Sequence, residues 1–324
     1  MKSQQWSFLL KEIIHNGYKE FLISFDEFME FLKPENKRIL AEKTTSTNYN
    51  FIYRGQSNSK HELVPALYRN VFSHSSLSNT YNDLCFLQLT YLKTFVRGCD
   101  INAVSIPNDS YNFRTNILDK CHDQVFLNSS IWPHRELYEL LAFAQHYGYP
   151  TELLDWSYNP LVAMYFAATG VINNNNSTLE DSFSIWVIDT EKRNLLNNSN
   201  NLNLEIIDVP RAHNINISSQ EGCFTLVRQT IDSRSTLTYQ TNKIKELKLI
   251  SDLMCEHKVN GLFKFTIKNS EVLKVLEFCD DYSINAAKLF RGPYGAAKYA
   301  TESLSTVKFA TRHNLQIRGN IPLG

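Results

Sequence analysis

The sequence has little that would commit it to a specialised class. Of 324 residues only 9 are proline, 11 glycine and 4 each tryptophan and methionine, which excludes collagen-like and proline-rich low-complexity chains. Neither charge sign prevails, with 33 Lys plus Arg facing 33 Asp plus Glu. A duplex nucleic-acid binder ordinarily carries a basic excess, so long-range attraction to a phosphate backbone is not expected; a local basic pocket remains compatible with neutrality. No stretch reaches the roughly 18 uninterrupted apolar residues of a membrane span. Met1–Leu10 lacks a signal-peptide core and leads straight into charged residues. Cys85, Cys99, Cys121, Cys223, Cys255 and Cys279 form no C-x-x-C pair, so reduced thiols packed as small hydrophobes and a cytoplasmic location are expected. Walker, G-x-G-x-x-G, G-x-S-x-G and H-E-x-x-H motifs are missing, and no His/Cys group has zinc-like spacing. No metal is expected.

What is there is an ordinary globular composition, 43% hydrophobic and 20% charged, in a chain long enough to bury a large core. Trp6 to Gly17 reads as a short amphipathic helix. Ser24 with Glu27 three residues on reads as a capping box for a second helix, which Pro34 follows. Phe51-Ile52-Tyr53 predicts a strand ending on Arg54-Gly55, and Leu63 to Leu67, with its Pro65, an edge element or loop. Tyr81 to Phe95 has helical spacing, and Gly98 to Asn128 is less readable and includes loops. A helix opens at Trp132-Pro133 and ends at Gly148, with Pro150 beyond it. Thr151 to Trp156 reads as extended. Asn159 caps a helix with Pro160 at its first position and Gly170 at its close. The asparagine-rich stretches 173–176 and 197–203 are predicted surface loops flanking a strand over Phe183 to Ile188. Cys223 to Val227 and Leu262 to Ile267 predict strands; Lys243 to Cys255, Ile284 to Phe290 and Gly295 to Leu304 predict helices, and Glu271 to Phe278 is left unassigned. The sum is a single α+β domain with an N-terminal helical lead-in, divided as a helix over 1–20, a domain over 21–310 and a tail over 311–324.

Two runs carry the specific signal: Tyr53-Arg54-Gly55-Gln56, and Ala144-Gln145-His146-Tyr147-Gly148-Tyr149-Pro150-Thr151-Glu152-Leu153-Leu154-Asp155-Trp156-Ser157 leading into Asn159-Pro160-Leu161. Both set polar groups at the ends of apolar elements, where burial without partners is costly and pockets are built. With Leu63-Val64-Pro65-Ala66-Leu67-Tyr68-Arg69 and Tyr165-Phe166-Ala167, these runs resemble the FRG domain, named for its aromatic-Arg-Gly motif. The likeness extends from about Phe21 to about Ala300. Two places depart from it: Glu152 stands where the family usually has arginine, and Arg291-Gly292-Pro293-Tyr294-Gly295 replaces an acidic turn. The resemblance implies a toxin or effector in bacterial defence.

A second resemblance, to ADP-ribosyltransferases, implies a mixed β core with flanking helices, and chemistry on NAD. In that family a strand ending in Arg-Gly or His-Gly is followed by a strand bearing a serine or aromatic residue, a Pro-x-x-Ala-x-x-Phe-Ala helix, and then a strand opening on Gln/Glu-x-Glu. Tyr53-Arg54-Gly55, then Trp156-Ser157 with the helix from Asn159-Pro160, then Gln220-Glu221 before Cys223 are similar; here Glu221 follows Gln220 directly. The likeness implies that Arg54 grips the diphosphate, Gly55 and Ser157 hold the nicotinamide side, Tyr53 or Trp156 stacks on a ring, and Glu221 supports the reacting ribose. Gln56, Arg69, Thr151, Asp155 and Gln220 extend the binding set, and His146 is a candidate proton carrier.

Each residue also has a plainer reading. Arg54 is a planar fork suited to a pyrophosphate, or equally a partner for Asp155 that ties two strands together. Gly55 admits a ligand or makes a turn. His146 serves as a capping histidine, Trp156 and Tyr53 as core, and Glu221 as a solvating residue at a turn. The expected function is an ADP-ribosyltransferase-like enzyme acting on NAD, with a protein or nucleic-acid acceptor, no membrane, and a neutralising or sensor partner protein. The alternatives are a non-catalytic nucleotide- or peptide-binding module, a less favoured metal-dependent nuclease built on Asp155, Glu152 and His146, and a plain folding core with partner recognition elsewhere.

Overall fold

The computed structural model describes residues 11–40, 50–73, 81–121, 131–192, 203–210, 215–229 and 247–317. Its centre is one eight-stranded mixed sheet in the order β1-β2-β8-β5-β3-β4-β7-β6. The strands are β1 Lys11–His15, β2 Tyr18–Leu22, β3 Phe51–Gln56, β4 Leu154–Ser157, β5 Ser182–Asp189, β6 Leu204–Ile207, β7 Gly222–Val227 and β8 Leu262–Lys268. The β2–β8 pairing is parallel and the other ladders are antiparallel. Eleven α-helices accompany it among the described residues: α1 Phe25–Phe31, α2 Pro34–Leu40, α3 Ala66–Ser73, α4 Tyr81–Ile101, α5 Tyr138–His146, α6 Pro160–Ile172, α7 Ile215–Ser219, α8 Ile250–Glu256, α9 Val272–Asp281, α10 Ala286–Leu289 and α11 Pro293–Arg312. This is the α+β architecture that the composition and element pattern predict.

Strand alternation sorts the core. On one face Phe51 and Tyr53 of β3, Phe183, Ile185 and Val187 of β5, and Phe263, Phe265 and Ile267 of β8 pack against α1, α6, α9 and the end of α11. Farther along the same face, Phe224 and Leu226 of β7 join α4 and α5 in a second cluster. The residues between, Ile52, Trp186, Ile188, Trp156 and Cys223, point the other way onto α8. One side of the sheet thus carries two helical bodies, α6 over β3 and β5, and α5 toward β7. The polar residues of β4 lie where these bodies meet.

The local signals act as the sequence predicts in several places. Ser24 Oγ accepts from the Glu27 amide at 3.3 Å while the Glu27 carboxylate accepts from the Ser24 amide at 2.7 Å, so α1 starts in a full capping box. Asn159 caps α6 and Pro160 takes its first turn. Helix α6 buries Val162, Met164, Tyr165, Val171 and Ile172. At about 1.5–3 kcal/mol for each large apolar side chain, its position is set by the core rather than by any ion pair beside it.

Other readings give way. Residues 11–22, predicted as the end of a helix and its exit, form the β1–β2 hairpin around Gly17, whose φ is +87°. Pairing with β8 and the Phe21–Phe265 stack, 5.3 Å between centroids, outweigh the helical spacing. Residues 63–65 are loop and α3 begins at Ala66. The helix expected from Trp132 begins at Tyr138, after a 3-10 turn over Arg135–Leu137. A π-helix over Phe113–Asp119 lies in the stretch that the spacing leaves hard to read. Helix α4 runs on to Ile101, α6 to Ile172 and α11 from Pro293 to Arg312. Strand β6 had no forecast. The segments 1–10, 41–49, 197–202 and 241–246, to which helix, connector and loop readings extend, fall outside the described residues.

Candidate functional site

The β3–β4 ladder is a single pair, Tyr53 opposite Ser157. Just past it, Arg54 Nη1 donates to the main-chain carbonyl of Asp155 at 2.6 Å and stands 3.5 Å from its carboxylate. A side chain therefore continues the link between the strands where backbone pairing stops. Its guanidinium is 15% exposed and the Asp155 carboxylate 61%. Burial draws the Arg54 pKa down, Asp155 opposes the shift and the nearby Arg69 charge adds to it; an arginine stays cationic through this. Arg69 is exposed. Two guanidinium groups close enough to repel, with one carboxylate beside Arg54, favour an anion.

Asp155 is fixed from the other side. Gln145, at the end of α5, donates through Nε2 to Asp155 Oδ1 at 2.6 Å. Thr151, fully buried, donates to Gln145 Oε1 and accepts from the Leu153 amide at 3.0 Å. His146 is half-buried next to this relay, its pKa lowered by burial and pulled back up by Asp155. At neutral pH the ring is thus biased to its uncharged form.

Two residues along β4, about 7 Å away, a second polar group forms where β7 begins. Ser157 pairs with Gly222, and its Oγ donates to the Gln220 carbonyl at 2.7 Å while accepting from the Asn159 amide at 2.9 Å. Asn159 Nδ2 donates to Glu221 Oε1 at 2.9 Å. The Tyr158 amide donates to the Glu221 carbonyl at 3.0 Å. Glu221 is exposed and has φ +47°, a left-handed conformation that a non-glycine residue adopts at a cost. Gln220 Nε2 reaches the Leu289 carbonyl at 3.4 Å and ties this corner to α10.

Several predicted site residues face elsewhere. Gly55 meets no open space: a Cβ there would lie 1.9 Å from the Ala163 carbonyl oxygen, so the glycine lets α6 seat on β3. Tyr53 (2% exposed) lies in the core under the same helix, with Lys37 Nζ 5.6 Å from its ring centroid. Trp156 (3% exposed) points to the opposite face and donates to Thr225 Oγ1 at 2.8 Å. Neither ring has a face open for stacking. Gln56 is buried, donating to the Glu62 carbonyl at 3.0 Å and accepting from Trp186 Nε1 at 2.8 Å. The sequence reading missed the anchoring roles of Gln145 and Asn159; the signal open to it was an amide side chain at a helix end abutting β4.

Glu152 sits apart. It is 2% exposed, its Oε2 accepts from the Tyr81 hydroxyl at 3.4 Å and its Oε1 has no hydrogen-bond partner. Burial pushes its pKa up to about 8, against the pull of Arg228 and of hydrogen bonds from Tyr81, Tyr68 and Trp132. A cavity of about 10 Å³, room for one water, opens beside it among Tyr68, Leu154, Thr225, Lys248 and Ile250. It touches none of Arg54, Ser157 and Glu221.

Residues 49–176 match the family model of the FRG domain. The chain carries an FRG domain. The matched stretch includes β3, β4 and all of α6, hence Arg54, Asp155, Ser157 and Asn159; Gln220 and Glu221 lie beyond it. No curated protein and no solved structure matches the chain. Among the described residues no three His, Cys, Asp or Glu stand together as metal ligands would, and no helix is long and apolar enough to cross a membrane.

Proposed function

We propose that this FRG-domain protein is an effector with an ADP-ribosyltransferase-like site, acting on NAD in a toxin or anti-phage defence role. The observation that carries the reading is adjacency. Arg54 on β3, Ser157 on β4 and the Gln220–Glu221 turn that leads into β7, far apart in sequence, lie on neighbouring elements of one sheet. In this reading Arg54 and Arg69 receive the diphosphate, and Ser157 marks the nicotinamide side. The exposed Glu221 carboxylate faces the positive charge that develops on the ribose as its bond to nicotinamide breaks. Water or a macromolecule would accept the ADP-ribosyl group. A largely neutral His146 next to Asp155 suits a proton acceptor.

The test is release of nicotinamide from NAD by the pure protein, alone and with cell extract. Release that falls on Arg54→Ala and Glu221→Ala supports the reading; no release by the wild type, or release indifferent to both, ends it. The burial of Tyr53 and Trp156 and the covering of Gly55 favour one second reading, a module that binds a nucleotide or peptide without turnover. It requires NAD or another nucleotide to raise the melting temperature with nothing released.

A further inference from the structure

Glu221 combines two features that a solvating turn residue does not need. Its backbone takes a left-handed conformation although glycine stands one position later, and its carboxylate is tethered by a side chain 62 residues away. The tether is Asn159, which uses both ends of its amide. Oδ1 accepts from the Leu161 amide at 3.0 Å and caps α6; Nδ2 donates to Glu221 Oε1 at 2.9 Å. The Asn159 amide in turn donates to Ser157 Oγ, which donates to the Gln220 carbonyl. Helix α6 is locked into the core by its apolar face, so its cap is among the stiffest points available at the corner.

We propose that Asn159 is the positioning residue for Glu221, transmitting the rigidity of α6 to the carboxylate proposed to act on the ribose. The inference rests on the proposed function for what the carboxylate does, and on the observed contact for how it is held. A serine, aspartate or asparagine caps a helix about equally well, whereas of these asparagine alone also offers a side-chain N–H to a carboxylate. That difference separates capping from positioning.

Asn159→Ser retains a capping oxygen and withdraws the amide N–H from Glu221, leaving only a hydroxyl one bond closer to the backbone. It is expected to lower kcat for nicotinamide release about tenfold, the effect of one lost charge-assisted hydrogen bond, with KM and melting temperature close to wild type. Asn159→Asp keeps the cap but sets a second carboxylate against Glu221 and is expected to lose more. In a Glu221→Ala background, Asn159→Ser should cost no further residual release, because both changes act through one group. A second arm needs no turnover. In ¹⁵N-labelled protein the Asn159 side-chain amide resonances should shift on Glu221→Ala. Unchanged kcat in Asn159→Ser, or amide resonances indifferent to Glu221→Ala, overturns the inference. An inert wild type instead overturns the proposed function, and the resonances then decide the positioning on their own.

Discussion

Gly55 and Ala163 stand so close that a methyl group on the glycine would lie 1.9 Å from the alanine's carbonyl oxygen, with the Ala167 nitrogen 2.8 Å away. Backbone cannot yield as a flexible side chain can, so Gly55→Ala must push α6 off β3. A loss of about 2–4 kcal/mol is expected by urea unfolding. If the glycine only admitted a ligand, the variant would unfold as the wild type does and lose affinity alone.

Arg54 and Asp155 should respond unequally. Asp155→Asn leaves the main-chain carbonyl that accepts at 2.6 Å and removes a carboxylate 3.5 Å away and largely exposed. Such a pair contributes up to about 1 kcal/mol, so chemical denaturation should show a small change. Arg54→Ala withdraws the donor from that carbonyl and empties a mostly buried position, and a loss of about 2–3 kcal/mol is expected. Equal losses in the two variants would place the link in the ion pair instead.

Glu152 predicts a stability that falls with alkalinity. Its pKa is about 8 folded against an ordinary 4.5, so the folded state holds this proton more tightly than the unfolded chain. The contribution is greatest below pH 4.5, declines by up to about 1.4 kcal/mol per pH unit between 4.5 and 8, and is constant above. Glu152→Gln, which cannot ionise, should remove that slope and be the more stable protein at pH 8. Melting curves for both from pH 5 to 9 check this; parallel profiles would refute it.

Glu221→Gly should separate stability from function. Glycine takes a positive φ freely, and relief of about 1 kcal/mol offsets the lost hydrogen bond from Asn159. The expected variant melts at or above the wild-type temperature and releases no nicotinamide. A clear drop in melting temperature would make Glu221 a structural residue.

Of the six cysteines, five are buried and Cys255 alone is exposed. Thiol labelling of the native protein with a water-soluble disulfide reagent should modify one site rapidly, and Cys255→Ser should abolish that fast phase. Burial, with the Asp280 carboxylate near one and Glu152 near the other, raises the thiols of Cys279 and Cys85 out of the reactive range.

The sequence was legible where a local rule decides the outcome. The Ser24–Glu27 box, Pro160 behind Asn159, and the alternating strands over Phe183–Ile188 and Leu262–Ile267 follow from caps and period. It was illegible where distant partners decide. Residues 11–15 have helical spacing but become a strand because β2 aligns with β8, some 240 residues on. The short π-helix and β6 carry no strong periodic signal. At the site, the runs around Arg54 and Asp155 marked the right strands. Which face each side chain took depended on register: the Tyr53–Ser157 pair sends Trp156 to the opposite side from Asp155, and α6 settles over Gly55. The amides of Gln145 and Asn159 read as unremarkable helix termini until β4 lay beside them.

The one-pair ladder between β3 and β4 also bears on how force crosses the molecule. An eight-stranded sheet ordinarily shares tension among many parallel backbone bonds; at this seam one residue pair, a guanidinium and the overlying helices carry it. A pulling experiment with handles on β8 and β7 would load that junction in series with ladders of four or more pairs, so the first rupture belongs in the middle of the sheet and not at its rim.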